Sequence, residues 1–434
     1  MIDLVIRSRR TVTPEGERPA AVAVQGERIA ALHDYAAPLD AAADIDLRDL
    51  ALLPGLVDTH VHVNEPGRTH WEGFDSATRA AAAGGVTTLL DMPLNSLPPT
   101  VNVAAFEAKL RAARGRCHVD VGFWGGAVPG NVKDLAPLRE RGVYGFKCFM
   151  SPSGVPEFPP LGAEGMRRAM EEVAGIGGVM VVHAEDPALL AEPNGPTYRE
   201  FLDSRPGASE RSAVARVVRL AGETGARAHV LHVSSADCLD VLAAAQAGGV
   251  AVTAETCPHY LTLAAEQVPE GATAYKCCPP IRSAANRDRL WDGLAAGVLS
   301  CVVSDHSPSP AELKVPDFAT AWGGIASLQV GLAAIWTEAA RRGYGLADVA
   351  RWMSVNPASM ADIPRKGGIK AGNDADLVAF DPAAEHLVDA SLLHHRHPVT
   401  PYHGSRLRGA VLTTWLRGRP VDGEPHGRLL LGEQ

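Results

Sequence analysis

Short apolar runs recur through the middle of the chain, and stretches with helical spacing of apolar residues separate them. Eight such runs lie at residues 55–62, 85–93, 118–126, 142–150, 178–185, 228–235, 249–257 and 297–306. Several of the separating stretches end in glycine, which suits a helix C-terminus. Near-continuous apolar strands that are each followed by a helix indicate a parallel sheet that is covered on both faces.

Eight consecutive strand–helix units are typical of a TIM barrel. The alternative architecture is a doubly wound open sheet. That fold requires a reversal of strand order, and no glycine-rich phosphate loop marks such a point in this sequence. We therefore predict the α/β class, with a (β/α)8 barrel as the catalytic domain at residues 54–365.

The two ends of the chain have a different pattern, in which short strands alternate with turn residues. Residues 1–53 contain DLVIRS and AVAVQG, and residues 366–434 contain DADLVAFDP and GAVLTTWLRGRPV. Neither end is long enough to bury a core alone. We expect the two ends to pair with each other and form one small β-sandwich domain.

Composition excludes several classes of function. The net charge of -9 over 434 residues argues against a nucleic-acid partner or an anionic membrane, since both require a basic surface. No apolar run reaches the eighteen or more residues of a transmembrane helix, and the N-terminus lacks an export signal. Seven cysteines without CxxC spacing indicate reduced thiols, so we expect a cytoplasmic protein.

Polar residues with metal-binding side chains stand at the ends of five of the predicted strands. They are His60, His62, Lys147, His183, His232 and Asp305. A period of two places His60 and His62 on one face of their strand. His229 competes with His232, but the two face opposite sides, and His232 comes last before the SS turn. Active sites of TIM barrels lie at these strand ends, so we predict that the six side chains converge.

Each of these residues also has a structural explanation. A histidine at a strand end can bond a loop carbonyl, and Asp305 can begin an Asx turn. Lys147 could extend its ammonium to water or pair with Glu185 or Asp305. The convergence of all six at one predicted barrel mouth favours a metal site, because imidazole and carboxylate together suit Zn²⁺ and similar ions.

A buried lysine needs a separate explanation, because an unpaired ammonium is costly to bury. A neutral amine can add CO₂ to form a carbamate, which has two oxygens and could hold two metals. His60, His62 and Asp305 would bind one ion, and His183 and His232 the other, with carboxylated Lys147 and a water shared. A water held in this way is a hydroxide near pH 7 and attacks a carbonyl, while Asp305 moves the proton to the leaving nitrogen.

Several motifs resemble those of the cyclic amidohydrolases in the amidohydrolase superfamily. The motifs are PGLVDTHVHVNEPG, GFKCFM, VVHAE, LHVSS, ETCPHY, KCCPPIR, SDHSP and KGGIKAGNDADLVAFDP, which together span nearly the whole chain. Relatives are allantoinases, dihydropyrimidinases (hydantoinases) and dihydroorotases. The resemblance implies a barrel with a β-sandwich, two divalent metals bridged by a carboxylated lysine, and a homotetramer. Zn²⁺ is the first expectation, although Co²⁺, Mn²⁺ and Fe²⁺ also occupy such sites.

Within this family the sequence resembles the allantoinases most, which implies opening of the hydantoin ring of allantoin to allantoate. The segments that carry this resemblance are THWEGF (69–74), DMPLN (91–95), KCCPPIR (276–282), SDHSPSP (304–310) and AWGGIASLQ (321–329). We expect Asn95, Cys278 and Gly323 to contact the substrate, and Cys278 replaces the serine usual in allantoinases. Asn64 stands where dihydroorotases have an arginine, and a neutral amide suits an uncharged ureide.

Two other functions remain as alternatives. A hydantoinase or dihydropyrimidinase would use the same chemistry on another ring, and a non-catalytic barrel scaffold would have lost its metal ligands. Some residues have only structural expectations. We expect Trp71 to pack in the core or to begin a helix, and His306 to be structural. We expect the HHRH segment (394–397) to be a solvated loop or a subunit contact.

Overall fold

Strands and helices alternate through the middle of the chain, as the hydrophobic pattern predicts. The computed structural model describes residues 2–432. Its strands are β1 (Ile2–Thr13), β2 (Gly16–Gln25), β3 (Arg28–His33), β4 (Ala41–Asp46), β5 (Ala51–Pro54), β6 (Leu56–Val61), β7 (Val86–Asp91), β8 (Asp120–Phe123), β9 (Gly125–Gly126), β10 (Phe146–Phe149), β11 (Val179–His183), β12 (Arg227–Val230), β13 (Val252–Thr256), β14 (Cys301–Val302), β15 (Leu377–Leu387), β16 (Arg406–Leu416) and β17 (Arg419–Pro420).

The helices fall mainly between the strands of the central region. They are α1 (Phe74–Ala83), α2 (Val103–Ala113), α3 (Val132–Arg141), α4 (Ala163–Gly175), α5 (Tyr198–Ser204), α6 (Gly207–Thr224), α7 (Leu239–Ala247), α8 (Pro258–Thr262), α9 (Ala284–Ala295), α10 (Gly331–Arg341), α11 (Leu346–Ala350) and α12 (Asn356–Met360). Among residues 2–432, none of them combines the length and the apolar character needed to cross a bilayer.

The central strands are parallel and form two sheets. Strands β6, β7 and β8 make one sheet, and β9 to β14 make the other in consecutive order. Every residue of β6, β7, β10 and β11 is buried, which explains why these strands are nearly continuous apolar runs. Each of the eight predicted runs overlaps at least one strand of the two parallel sheets, so the α/β class is confirmed.

The two parallel sheets adjoin at both of their edges. At one junction, β8 ends one residue before β9 begins, and the Trp124 amide between them donates to the carbonyl of Asp91 at 3.0 Å. At the other junction, Val61 at the end of β6 forms a parallel bridge with His306, which follows β14. The carboxyl ends of the parallel strands from both sheets therefore lie close together.

The ends of the chain meet in one mixed sheet, as predicted. Its strand order is β17-β16-β15-β5-β1-β2-β3, with β4 paired to β1. The antiparallel pairing of Leu53 in β5 with Val378 in β15 joins the N-terminal segment to the C-terminal one. Val22, Leu52 and Leu377 belong to the apolar cluster of this sheet and are fully buried, so neither terminal segment buries its apolar side chains without the other.

A buried ion-pair network joins this mixed sheet to the amino end of the parallel strands. Asp120, the first residue of β8, accepts from Nζ of Lys366 at 2.7 Å and from Nη1 of Arg417 at 2.5 Å. The same Lys366 ammonium lies 2.7 Å from Asp376 and 3.0 Å from Asp374. We call these five residues the basal network, because they lie opposite the strand ends that carry the predicted site.

Candidate metal centre and active site

All six predicted metal-binding residues line one cavity at the carboxyl ends of the parallel strands. The cavity has a volume of about 280 Å³. The residues that line it from the predicted set are His60, His62, Lys147, His183, His232 and Asp305. They come from β6, β10 and β11 and from the segments that follow β6, β12 and β14. The parallel pairing of the strands brings residues that are far apart in sequence into one place.

His60, His62 and Asp305 form the first half of this cluster. Nε2 of His60 lies 3.2 Å from Oδ1 of Asp305, and Nε2 of His62 lies 3.7 Å from the same oxygen. One ligand atom from each of the three lies within 4.8 Å of the others. Nε2 of His60 is buried and has no hydrogen-bond partner. A buried nitrogen without a partner, beside a carboxylate, fits a metal ligand.

His183 and His232 form the second half. Nδ1 of His183 lies 2.9 Å from Nε2 of His232, so two nitrogens point toward one position. The opposite nitrogen of His183 contacts Glu185 at 2.8 Å, and Arg205 donates to both oxygens of that carboxylate. Burial alone would raise the pKa of Glu185, but Arg205 and His183 outweigh it and hold the value at about 2. The anion orients the His183 ring toward the cavity.

Lys147 lies in the cluster and is 1% exposed. Its Nζ is 4.6 Å from the centre of the Phe149 ring, and it forms no ion pair with any carboxylate of residues 2–432. Burial lowers the pKa of Lys147, although Asp305 and Glu255 oppose that effect. A lowered pKa increases the share of the neutral amine that carbamate formation requires. Lys147 forms neither of the ion pairs, with Glu185 or with Asp305, that were considered as alternatives.

The imidazoles of the cluster are also held in the form that binds metal. Burial lowers the pKa of His60, His62 and His232 well below the ordinary value, and the charge of Lys147 adds to this effect. Neutral imidazole is the ligand form. Buried donors, unpartnered nitrogens and a carboxylate together fit divalent metal ions such as Zn²⁺.

Glu255 is a site residue that the sequence analysis missed. It is fully buried, and its two oxygens contact Nδ1 of His60 at 2.6 Å and Nε2 of His229 at 2.9 Å. The first contact leaves Nε2 of His60 directed at Asp305. The available signal was a carboxylate at the end of a predicted strand, in ETCPHY. His229 supports Glu255 and does not line the cavity, which agrees with the choice of His232.

Of the four residues predicted to contact the substrate, three line the cavity and one does not. Asn95, Cys278 and Gly323 line the cavity, and Asn95 has a φ of 64°. Asn64 does not line it. Its side chain is fully buried, and Nδ2 donates to the carbonyl of Pro308 at 3.4 Å, so Asn64 packs two loops together. Trp322 is also part of the lining, and the sequence analysis had no position-specific signal for it.

The HWEGF and HHRH segments lie outside the cavity lining. Trp71 of HWEGF is buried and packs edge-on against Trp322, with ring centres 4.9 Å apart. The HHRH segment was expected to be solvated or in a subunit contact, and for His395 the expectation of a solvated loop is wrong. His395 is 6% exposed and accepts from the amide of Gln329 at 3.3 Å. The C-terminal segment contacts loops that lie at the carboxyl ends of the parallel strands, which the local pattern did not predict.

Comparison with known proteins places the chain among related hydrolases. The Amidohydrolase family matches residues 51–421. Allantoinase from Streptomyces avermitilis is 58% identical, over 100% of this chain and 99% of that protein. Allantoinase from Saccharomyces cerevisiae is 47% identical, over 85% of this chain and 82% of that protein. The structure of L-hydantoinase (dihydropyrimidinase) from Arthrobacter aurescens has a TM-score of 0.94 and 30% identity, covering 99% of this chain and 100% of that one.

Proposed function

This chain belongs to the amidohydrolase family and is a hydrolase that acts on cyclic amides, and from that premise we propose that it opens the hydantoin ring of allantoin to give allantoate. The proteins that are 58% and 47% identical to it are both named allantoinase. The solved structure with a TM-score of 0.94 is a hydantoinase at 30% identity, so sequence similarity favours allantoin over simpler hydantoins.

One observation supports the proposed chemistry more than any other. Six side chains that lie between residues 60 and 305 line one cavity of about 280 Å³. In our proposal, His60, His62 and Asp305 would hold one divalent metal, His183 and His232 would hold a second, and a carboxylated Lys147 would supply ligand oxygens to both. Zn²⁺ is the ion that this donor set favours. When bound, such a pair of ions supplies a nucleophilic oxygen near neutral pH and polarises the substrate carbonyl.

The side chains of the cavity then perform the proton transfers. Asp305 accepts a proton from the attacking water as its oxygen adds to the ring carbonyl carbon. The C–N bond of the ring breaks next, and Asp305 returns the proton to the departing nitrogen, so that a carboxylate and a ureide nitrogen are formed. Burial raises the pKa of Asp305, while Lys147 lowers it. A carboxyl group that is held less acidic than usual is a better proton acceptor for this step.

The walls of the cavity orient the ring. We propose that Asn95 and the backbone around Cys278 and Gly323 hydrogen-bond the amide groups of the substrate. Phe149 and Trp322 line the same cavity and exclude water from the ring face. Cys278 lines the cavity and is more exposed than its neighbour Cys277, and it stands where allantoinases usually have a serine.

The domain architecture and the subunit number are part of the same proposal. We propose that the two parallel sheets close into one (β/α)8 barrel at residues 54–365, with residues 1–53 and 366–434 forming the β-sandwich domain. A homotetramer is proposed from the family resemblance, and Leu387 and Leu392, which are 62% and 76% exposed, are candidates for buried positions in it. Light scattering on the purified protein measures the subunit number.

A panel of ring-opening assays tests the function. The substrates are allantoin, hydantoin, dihydrouracil and dihydroorotate, and metal content is measured on the same preparation. We expect about two metals per chain and the highest kcat/KM for allantoin. Asp305→Asn is expected to lower kcat by at least about a hundredfold, since proton transfer contributes 10²–10⁴.

Asp34→Asn is the matched control, because Asp34 is an exposed aspartate of the N-terminal segment. It should leave both metal content and activity unchanged. If the enzyme opens hydantoin or dihydrouracil in preference to allantoin, the proposed substrate is wrong but the proposed ring-opening reaction stands. A chain without metal that opens none of the four rings would favour the scaffold instead.

A further inference from the structure

Asp305 adopts a backbone conformation that its neighbours must maintain. Its φ is 44°, in the left-handed region that a residue with a Cβ seldom occupies. Ser304, which precedes it, donates its amide to the carboxylate of Asp58 at 3.1 Å. His306, which follows it, donates its amide to the hydroxyl of Ser304 at 3.1 Å, and its carbonyl accepts from His62 at 2.8 Å. The position of the Asp305 carboxylate therefore depends on how His306 is held.

The ring of His306 is held on both sides. Nδ1 accepts from the backbone amides of Ser327 at 3.2 Å and Leu328 at 3.4 Å. Because two N–H groups point at Nδ1, the ring hydrogen must be on Nε2. Nε2 then donates to Oε2 of Glu72 at 3.1 Å, and both side chains are completely buried. The carboxylate of Glu72 is the one anionic partner of this ring among the described residues.

Glu72 is in turn bound by three further donors, one in α1 and two in the C-terminal segment. Its Oε1 accepts from the hydroxyl of Ser76 and from the backbone amide of Arg396 at 3.3 Å. Its backbone carbonyl accepts from Nε of Arg396. A buried carboxylate with several donors has few alternative orientations. Glu72 thus connects the loop before α1 with His306 and with the C-terminal segment.

The C-terminal segment at residues 394–397 closes over this connection, and we call it the strap. His397 donates through Nε2 to the carbonyl of His70 at 2.8 Å. The ring of His395 lies 4.8 Å from the ring of His306. The strap therefore packs against the ring whose neighbour in the chain is Asp305. The HHRH and HWEGF motifs, which had only structural expectations from sequence, meet at this point.

We propose that Glu72 and His306 are positioning residues that hold Asp305 at the metal cluster, and that the strap keeps Glu72 in place. The inference rests on the proposed function, in which Asp305 transfers the proton. Glu72 and His306 do not line the cavity, so they act on the reaction through the residues that they hold, of which Asp305 is the direct chain neighbour of His306. Small displacements of a proton-transfer group are costly, about a hundredfold in rate for about 1 Å.

Two substitutions of His306 separate this role from simple packing. Glutamine can place an N–H where Nε2 stands and keep the bond to Glu72, whereas asparagine can only replace Nδ1 and keep the bonds to Ser327 and Leu328. We expect His306→Asn to lower kcat at least about tenfold with KM changed less than about twofold. His306→Gln should recover most of that loss. The pH profile of kcat should shift in His306→Asn and not in His306→Gln.

Metal content and structure are measured on the same variants. We expect the metal content to match wild type, and a crystal structure of His306→Asn to show Asp305 displaced from His60. If asparagine is as active as glutamine, or more active, His306 only caps the backbone and the proposal is overturned. If Asp305 remains in place in His306→Asn, it is overturned too. If His306→Asn fails to fold, Glu72→Gln takes its place, with the same expected loss of kcat.

The strap is tested with a matched pair of surface substitutions. Arg396→Met removes the side-chain donor to the backbone carbonyl of Glu72 and keeps the backbone amide that bonds its carboxylate. His397→Ala removes a contact of the same strap that does not touch Glu72. We expect Arg396→Met to lower kcat several-fold and His397→Ala to leave it unchanged. Equal losses in both variants would mean that the strap is merely structural. All rates are compared on whichever cyclic amide the wild type opens, so a wrong substrate assignment does not decide this result.

Discussion

Buried acidic side chains cluster at both ends of the parallel strands, and the two clusters differ in what faces them. In the basal network, Asp120, Asp374 and Asp376 lie close enough together to share a cation. The ammonium of Lys366 already lies within 3.0 Å of each of these carboxylates. The chain itself therefore supplies the positive charge that these three acids require. Arg417, which pairs with Asp120, supplies a second positive charge.

At the other end of the strands the charges are not balanced by the chain. His60, His62 and Asp305 approach one another within the same 4.8 Å limit, but no arginine or lysine among residues 2–432 forms an ion pair with Asp305. Nε2 of His60, which faces Asp305, is buried and has no hydrogen-bond partner. A buried polar group without a hydrogen-bond partner is costly. The comparison therefore teaches that buried polar atoms without partners, rather than a cluster of acids, identify a binding site.

The largest effect is expected from removing the lysine of the mouth. Lys147→Ala takes away the proposed bridge between two ions, and we expect ring opening to fall by at least about a thousandfold, because metal stabilisation of the transition state is worth several kcal/mol. The bound metal should fall in parallel. Steady-state kinetics and elemental analysis measure both. If Lys147→Ala keeps both its metal and its activity, Lys147 has no part in metal binding, and the proposed difference between the two ends of the strands is wrong.

Removing Lys366 of the basal network should lower the stability of the protein and leave its metal content unchanged. Lys366→Met leaves the buried carboxylate of Asp376 without a cationic partner, while Asp120 keeps Arg417 and Asp374 keeps Arg365. Breaking such a buried pair costs about 3–5 kcal/mol of unfolding free energy. Urea unfolding at pH 7 measures the loss. Arg9→Gln is the control, because its pair with Asp49 is exposed and such pairs contribute little to stability. Metal content should remain that of wild type, and a loss of metal would refute the separation of the two ends.

A smaller effect, on metal affinity, is expected from the carboxylate of Glu255, which contacts the proposed ligand His60. Glu255→Gln weakens the orientation of the His60 ring, and changes of this kind cost about 10–100-fold in metal affinity. Competition with a chelator measures it. Glu107→Gln removes a carboxylate that pairs with Arg141 at the surface and should change nothing. Equal affinities in wild type and Glu255→Gln would mean that the anion does not orient the ligand.

The smallest effect is expected in acid, from the carboxylate behind His183. The pKa of Glu185 is lowered from 4.5 to about 2 in the folded protein. A lowered pKa means that its contribution to stability is complete above pH 4.5 and is lost as pH falls from about 4.5 to about 2. In metal-free protein, Glu185→Gln should therefore lose less stability over this interval than wild type does. Parallel curves of unfolding free energy against pH would count against the ion pair with Arg205.

Much of the cluster at the mouth could be predicted because its signals are local. The spacing of His60 and His62 follows from the alternation of side chains along a strand. Lys147 stands out within an apolar run, where an ammonium is unexpected. Asp305 ends the last run, and the ends of parallel strands meet at one edge. Each of these inferences needs only the residues within one strand and the count of strands before it.

Other features required the folded chain. Glu72 and His306 are separated by 234 positions, and Arg396 lies another 90 beyond His306. No periodicity relates such residues, so nothing in their neighbourhoods indicated that they touch. The expectation for Asn64 shows the same limit, because the chain turns there at a φ of 65° and directs the amide toward Pro308 instead of the cavity.

The sequence by itself determined the class of fold, the pairing of the two chain ends and the identity of the candidate ligands, because hydrophobic periodicity and strand ends are properties of short segments. Only the tertiary structure decided which polar residues face the cavity, and which carboxylates receive a lysine and which do not. Those outcomes depend on distances between segments that are far apart in the chain, and such distances are set by how the whole chain packs.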